Sequence, residues 1–96
     1  AQQLMKLSAE DGQRINGLKR ISGSAHLIHK AMLERPMASP NWIQEKTQLS
    51  PATVNACLRE LERIGIVKEV TGQKRNRLYS YLEYIRIMNE GTELPT

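Results

Sequence analysis

The chain has no phenylalanine, one tryptophan and three tyrosines among its 96 residues. A core filled by aromatic rings is therefore excluded, and Leu, Ile, Val and Met must supply the buried surface. Cys57 is the single cysteine, so no internal disulfide forms. Its place on an apolar helical face marks it as a buried, inert thiol rather than a nucleophile. Such cysteine usage fits a reducing cytoplasm, the expected location. No apolar run reaches membrane-spanning length, and no signal peptide is visible. Also missing are a glycine-rich phosphate loop, a nucleophile elbow and any cluster of acids with His or Cys at catalytic spacing. No catalytic residue, cofactor site or metal site is assigned, and the chain is not expected to be an enzyme. His26 and His29 are three apart but lack a third ligand, so they are expected as a surface or half-buried pair.

What remains is ordinary globular composition, 40% apolar and 25% charged, in a length suited to one small domain. The chain begins Ala1-Gln2-Gln3 without an initiator Met and is expected to be a piece of something longer. The net charge of +4 is unevenly spread. Residues 1–36 carry six Lys/Arg against three acids, residues 37–65 three against three, residues 66–81 four against one, and residues 82–96 one against three. A polyanion partner would therefore meet the N-terminal segment or residues 66–81 rather than the middle of the chain.

Residues 4–21 place Leu4, Leu7, Ile15, Leu18 and Ile21 roughly at helical spacing. Ser8 and Asp11 fit a capping box, while Gly12 and Gly17 leave open one helix or two pieces. Ser24 is the expected cap of a helix ending at Arg35 before Pro36, with Leu27, Ile28, Ala31 and Met32 facing the core. Ser39-Pro40 and Ser50-Pro51 are two further start signals. The first opens a helix over 40–47 that buries Trp42, the expected core anchor, or Ile43. The second opens the clearest helix, with Val54, Cys57, Leu58, Leu61 and Ile64 along one face, Leu49 and Val54 at the staple positions, and Gly65 as the stop. Ile66–Val70 and Arg77–Tyr81 read as strands joined by the polar turn Thr71–Asn76. A short last helix over 83–88 and a tail complete the chain. Tyr79, Tyr81 and Tyr84 are expected as an aromatic patch between the hairpin and that helix.

Two helices joined by a short turn, then a strand, a basic turn and a return strand, form the pattern of a winged helix-turn-helix. The fold class expected is mainly α with a small β-hairpin. The division expected is a helical connector over 1–21, the winged helix-turn-helix over 22–88 and a C-terminal tail over 89–96. In such a unit the second helix enters the major groove of DNA. Its outward face offers Thr53, Asn55 and Arg59. Asn55 has the chemistry to read adenine, and Arg59 to read guanine or hold a phosphate. Ser50, Thr53 and the first-turn amides form a candidate phosphate seat. Lys74, Arg75 and Arg77 make the wing the more electropositive element. Opposed readings stand beside these: Asn55 and Arg59 solvated, with Arg59 paired to Glu60 or Glu62, and a wing whose charges only blunt an exposed edge.

Residues 50–92, carrying SPATVN, LRELERIGIVKEVTG, the KRNR wing and the ending Y-x-x-Y-I-x-I-M-N-E-G-T, resemble the C-terminal winged-helix region of Fic family proteins. Residues 1–36 are similar to the helical connector that follows the Fic catalytic core. Fic proteins transfer AMP from ATP to a hydroxyl side chain through a motif beginning His-Pro-Phe, which this chain does not contain. The resemblance implies an accessory domain of a Fic-type protein, with Ser50–Ile64 and Gly72–Arg77 matching the recognition helix and wing. The partners expected are double-stranded DNA, an upstream Fic catalytic domain and a second copy of the chain. The alternative is a regulatory or dimerisation module that docks on the Fic core or on a second copy and binds no DNA.

Overall fold

The computed structural model describes residues 2–92. Five helices and three two-residue strands follow one another as α1 (Gln2–Asn16), a 3₁₀ turn (Lys19–Ile21), α2 (Ser22–Glu34), β1 (Met37–Ala38), α3 (Pro40–Thr47), α4 (Pro51–Arg63), β2 (Lys68–Glu69), β3 (Tyr79–Ser80) and α5 (Leu82–Thr92). This is a winged helix: mainly α, with a small antiparallel sheet.

The two Ser-Pro starts behave as their chemistry dictates. Ser39 Oγ accepts from the Trp42 amide at 3.1 Å, and Ser50 Oγ accepts from the Thr53 amide at 3.2 Å. Each caps a helix whose first residue is proline. Helix α3 ends at Gln48, which takes a left-handed conformation and turns the chain into Leu49 and the next cap. Helix α4 buries Val54, Cys57, Leu58 and Leu61, as its spacing requires. It stops in a Schellman arrangement: Gly65, at φ +85°, donates to Glu62 O at 3.0 Å, and Ile66 donates to Leu61 O at 2.9 Å. Ile66 and Leu61 are both buried at that corner.

Helix α2 departs from the expected stripe. Ser24 lies inside the helix, which grows directly out of the 3₁₀ turn and has no side-chain cap. The buried residues are Ala25, Ile28, His29, Ala31 and Met32, while Leu27 is 47% exposed. His29 is thus a core residue, and only His26, bonded to Asn16 Oδ1 at 2.7 Å, stays near the surface. Trp42 is likewise not the core anchor. Ile43 is fully buried, and Trp42 packs at the margin with the Arg35 guanidinium 4.5 Å from its ring centre.

Residues 2–16 form one unbroken helix rather than two pieces. Ser8 and Asp11 are not a capping box, because Asp11 falls within the inward stripe and its carboxylate turns to the core. Ile15 is fully buried, with Leu7 and Leu18 packed against the same core. Within the expected connector, α1 packs on this core.

The sheet has the order β1-β3-β2, so a third strand joins the hairpin foreseen in the sequence. Met37 and Ala38 pair with Ser80 and Tyr79, and Lys68 and Glu69 pair with the same two residues from the other side. Helix α5 runs on to Thr92, past the expected end at Met88, so residues 89–92 are helical and not tail. The rest of the expected tail, residues 93–96, lies outside the described residues. Tyr81 and Tyr84 stack with centroids 5.4 Å apart, whereas Tyr79 is buried on the sheet and makes no ring contact with them.

Candidate nucleic-acid interface

The wing begins where Glu69 leaves β2. Its carboxylate accepts from the Thr71 amide at 2.9 Å, the Thr71 hydroxyl at 2.5 Å and the Gly72 amide at 2.8 Å. These bonds, the Thr71 hydroxyl first, lower the Glu69 pKa and keep the carboxylate charged and turned into the wing base. Gly72 and Asn76 both take positive φ, which lets the segment reverse in a short span. Arg77 Nε donates to the Gln73 carbonyl at 2.8 Å across the tip, and Val70 donates to Leu78 O at 3.0 Å below it.

This wing curls over α4 and the start of α3 and closes a cleft of about 610 Å³. Ser39, Pro40 and Asn41 supply one wall from the start of α3, and Asn55 and Arg59 form the floor from α4. Lys74, Asn76, Arg77, Leu78 and Tyr79 supply the wall from the wing. Of the residues singled out in the sequence, the fold therefore gathers Asn55, Arg59, Lys74 and Arg77 into one space. Arg75 is exposed on the same tip but does not line the cleft. Thr53 stands two residues before Asn55 on α4, outside the lining. Ser50 is committed to the cap, since its hydroxyl both receives the Thr53 amide and donates to Thr53 Oγ1 at 2.9 Å. With proline at the first helical position and Thr53 N engaged, Ala52 N is the free amide left in that turn.

The cleft's cations lack carboxylate partners. Arg59, Lys74, Arg75 and Arg77 make no ion pair among the described residues. Arg59 lies near enough to contribute to the lowered pKa of Glu60, but the carboxylate of Glu60 is bonded to Arg63 at 2.8 and 2.9 Å. Glu62 instead receives the Glu69 amide at 3.0 Å. The acids of α4 that would repel a phosphate are thus occupied at its C-terminal end. Some cations away from the cleft are paired, Arg14 with Asp11, Lys46 with Glu34, and Arg86 with Glu83 and Glu90, while others among the described residues, such as Lys6 and Lys30, are not. It is the gathering of Arg59, Lys74 and Arg77 in one space that sets the cleft apart. The side-chain amides of Asn41, Asn55 and Asn76 have no hydrogen bond among the described residues, so the cleft presents donors and acceptors together with its positive charge.

Asn41 and Asn76 were not singled out in the sequence. The signal for Asn41 is the repeated Ser-Pro start, which puts it at the second position of a helix beginning beside the reading helix. Asn76 carries no comparable local signal, and only its left-handed backbone brings it to the wall.

No curated protein and no solved structure matches the chain. No helix among the described residues is long and apolar enough to cross a membrane. A family model described as winged helix-turn-helix DNA-binding matches residues 26–68, from α2 into β2. The match covers the two helices that bear Asn41, Asn55 and Arg59 and stops just before the wing. The fold and this match agree on a winged helix-turn-helix of DNA-binding type.

Proposed function

We infer that the chain binds duplex DNA through the cleft between α3, α4 and the wing. The observation that carries this reading is the set of unpaired cations, Arg59, Lys74 and Arg77, converging on one cleft while neighbouring acids are held elsewhere. Asn55 faces the base edges of the major groove, where an amide suits adenine, and Arg59 beside it holds a flanking phosphate or reads guanine. Lys74, Arg75 and Arg77 hold the backbone on the wing side, and Thr53 adds a hydroxyl at the entry of α4. Ser50 acts indirectly, by fixing the first turn of that helix. Helix α4 is formally neutral over its length, so affinity comes chiefly from the wing and discrimination from α4.

The resemblance of residues 50–92 to the winged-helix region of Fic family proteins supports a place for the module as an accessory domain, bringing an AMP-transferring enzyme to DNA. Fluorescence anisotropy of a labelled mixed-sequence duplex, titrated at low salt, tests the DNA reading directly. Absence of binding there would remove it. A second reading, docking on a protein or a second copy, draws on Met5, which is 72% exposed beside a groove formed by Leu4, Ser8, Ala9, Leu33 and Tyr84. Sedimentation at rising concentration tests its self-associating form, which a strict monomer would exclude.

A further inference from the structure

Asp11 belongs neither to the reading face nor to the segment that matches the winged-helix family, yet it is 4% exposed, with one oxygen bonded to distant Tyr81 and the other to Arg14 on its own helix. Oδ2 accepts from the Tyr81 hydroxyl at 2.6 Å. Oδ1 accepts from Arg14 Nη1 at 3.1 Å. With the hydroxyl proton of Tyr81 committed to Asp11, His29 Nε2, 3.0 Å away, donates to the Tyr81 oxygen. Tyr81 directly follows β3, the strand on which the wing returns, and its amide donates to Pro36 O at 2.7 Å beside β1. Arg14 Nη2 donates to the Ile64 carbonyl, at the C-terminal end of α4. A cation at that position also suits the helix dipole.

A single carboxylate on α1 thus reaches the end of the wing strand through Tyr81 and the end of the reading helix through Arg14. Packing alone does not require this. Ile15, Leu7 and Leu18 already seat α1 against the core, and an apolar side chain at position 11 would seat it without desolvating a charge. The outer face of α1, with Gln2, Gln3, Lys6, Glu10, Gln13 and Asn16, is exposed, and undocking the helix bares Ile15, Leu7 and Leu18. None of its residues lines the cleft.

We propose that α1 is a regulatory latch. Docked, it holds α4 and the wing strand in the relative placement that grips DNA. Whatever draws α1 away releases Tyr81 and Ile64 together and lowers DNA affinity. By linkage, bound DNA tightens the docking of α1 in return. The proposal rests on the DNA-binding reading above.

Hydrogen exchange of the whole chain, with and without a mixed-sequence duplex, combined with the DNA affinities of Arg14→Gln and Tyr81→Phe, tests it. Saturating duplex slows exchange of the α1 amides around Asp11 in the unaltered chain, although α1 is remote from the cleft. Both variants speed that exchange and weaken DNA binding by about fivefold or more, the lower end of ordinary couplings between sites. Ile28→Val, which thins the core on α2 without touching the Asp11 bonds, keeps the unaltered affinity. Should Tyr81→Phe fail to fold, Arg14→Gln carries the test, because the Arg14 side chain is half exposed. Unchanged α1 exchange on DNA binding, or full affinity in variants whose α1 is loosened, overturns the latch and leaves the DNA reading standing. No duplex binding by the unaltered chain at about 50 mM salt, where phosphate contacts are strong, removes both.

Discussion

Removing the wing's charges will change how DNA binding responds to salt before it changes anything about the fold. The tip residues Lys74, Arg75 and Arg77 are exposed and make no ion pair, so replacing all three with alanine leaves the core and the Glu69 bonds in place. Each cation seated on a phosphate contributes about −0.9 to the slope of log K against log salt. Four seated cations, the wing three plus Arg59, give a slope of about −3.6, or roughly a 150-fold loss of affinity between 50 and 200 mM salt. The triple variant keeps Arg59 alone, so its slope falls to about −0.9 and the same salt step costs only about threefold. Arg86→Ala is the control: Arg86 lies on α5, held by Glu83 and Glu90 away from the cleft, and its loss leaves the slope unchanged. Anisotropy titrations of a labelled duplex across that salt range measure both slopes. Equal slopes in the unaltered chain and the triple variant would place the phosphate contacts on another face and refute the reasoning.

Three further outcomes concern stability. Leu58→Ala, at a fully buried site on α4, destabilises the domain by about 2–5 kcal/mol, a large share of the stability of a small domain, read from urea midpoints. Ser50→Ala strips the cap from the Thr53 amide and costs about 1 kcal/mol, which lowers Tm by roughly 4–8 °C in a scanning melt. Burial lowers the pKa of His29 below its ordinary 6.5, against an opposing pull from Asp11 and with a small further lowering from His26. The unfolded chain therefore binds the extra proton first, so stability falls as pH drops through 6.5 and levels off below the folded pKa. His29→Gln removes that step, and urea titrations above and below pH 6.5 in both proteins show whether it does.

Local chemistry made α3 and α4 legible almost residue by residue. Ser-Pro fixes a start because serine supplies an acceptor where proline needs no donor, and Gly65 fixes a stop because the chain must pass through positive φ there. The 3.6-residue period of α4 named its buried face without any knowledge of what covers it. The α1 helix was harder to read because Asp11 interrupts the apolar stripe. A carboxylate there suggests a cap or a break until Tyr81, seventy positions away, is known to meet it. His29 was misplaced for the same reason: its burial depends on that hydroxyl, which no nearby residue announces. Strand β1 is two residues long and exists only as a partner of β3, so no alternation in the sequence could mark it. At the site, the residue types on α4 and the wing were legible, but their convergence was not. Nor could the sequence tell that Glu60 and Glu62 would be drawn off by Arg63 and the Glu69 amide, leaving Arg59 unpaired.

The wing divides its labour between base and tip. Glu69 and the two flanking strands set the register of the hairpin, while residues 73–76 add no side chain to the core and no rung to the sheet. Loop tips of that kind tolerate exchange. The tip is therefore a replaceable cartridge: a longer loop, or one of opposite charge, grafted between Gly72 and Arg77 would redirect the module to another ligand. The same graft made one step lower, at Glu69, would unseat the hairpin itself.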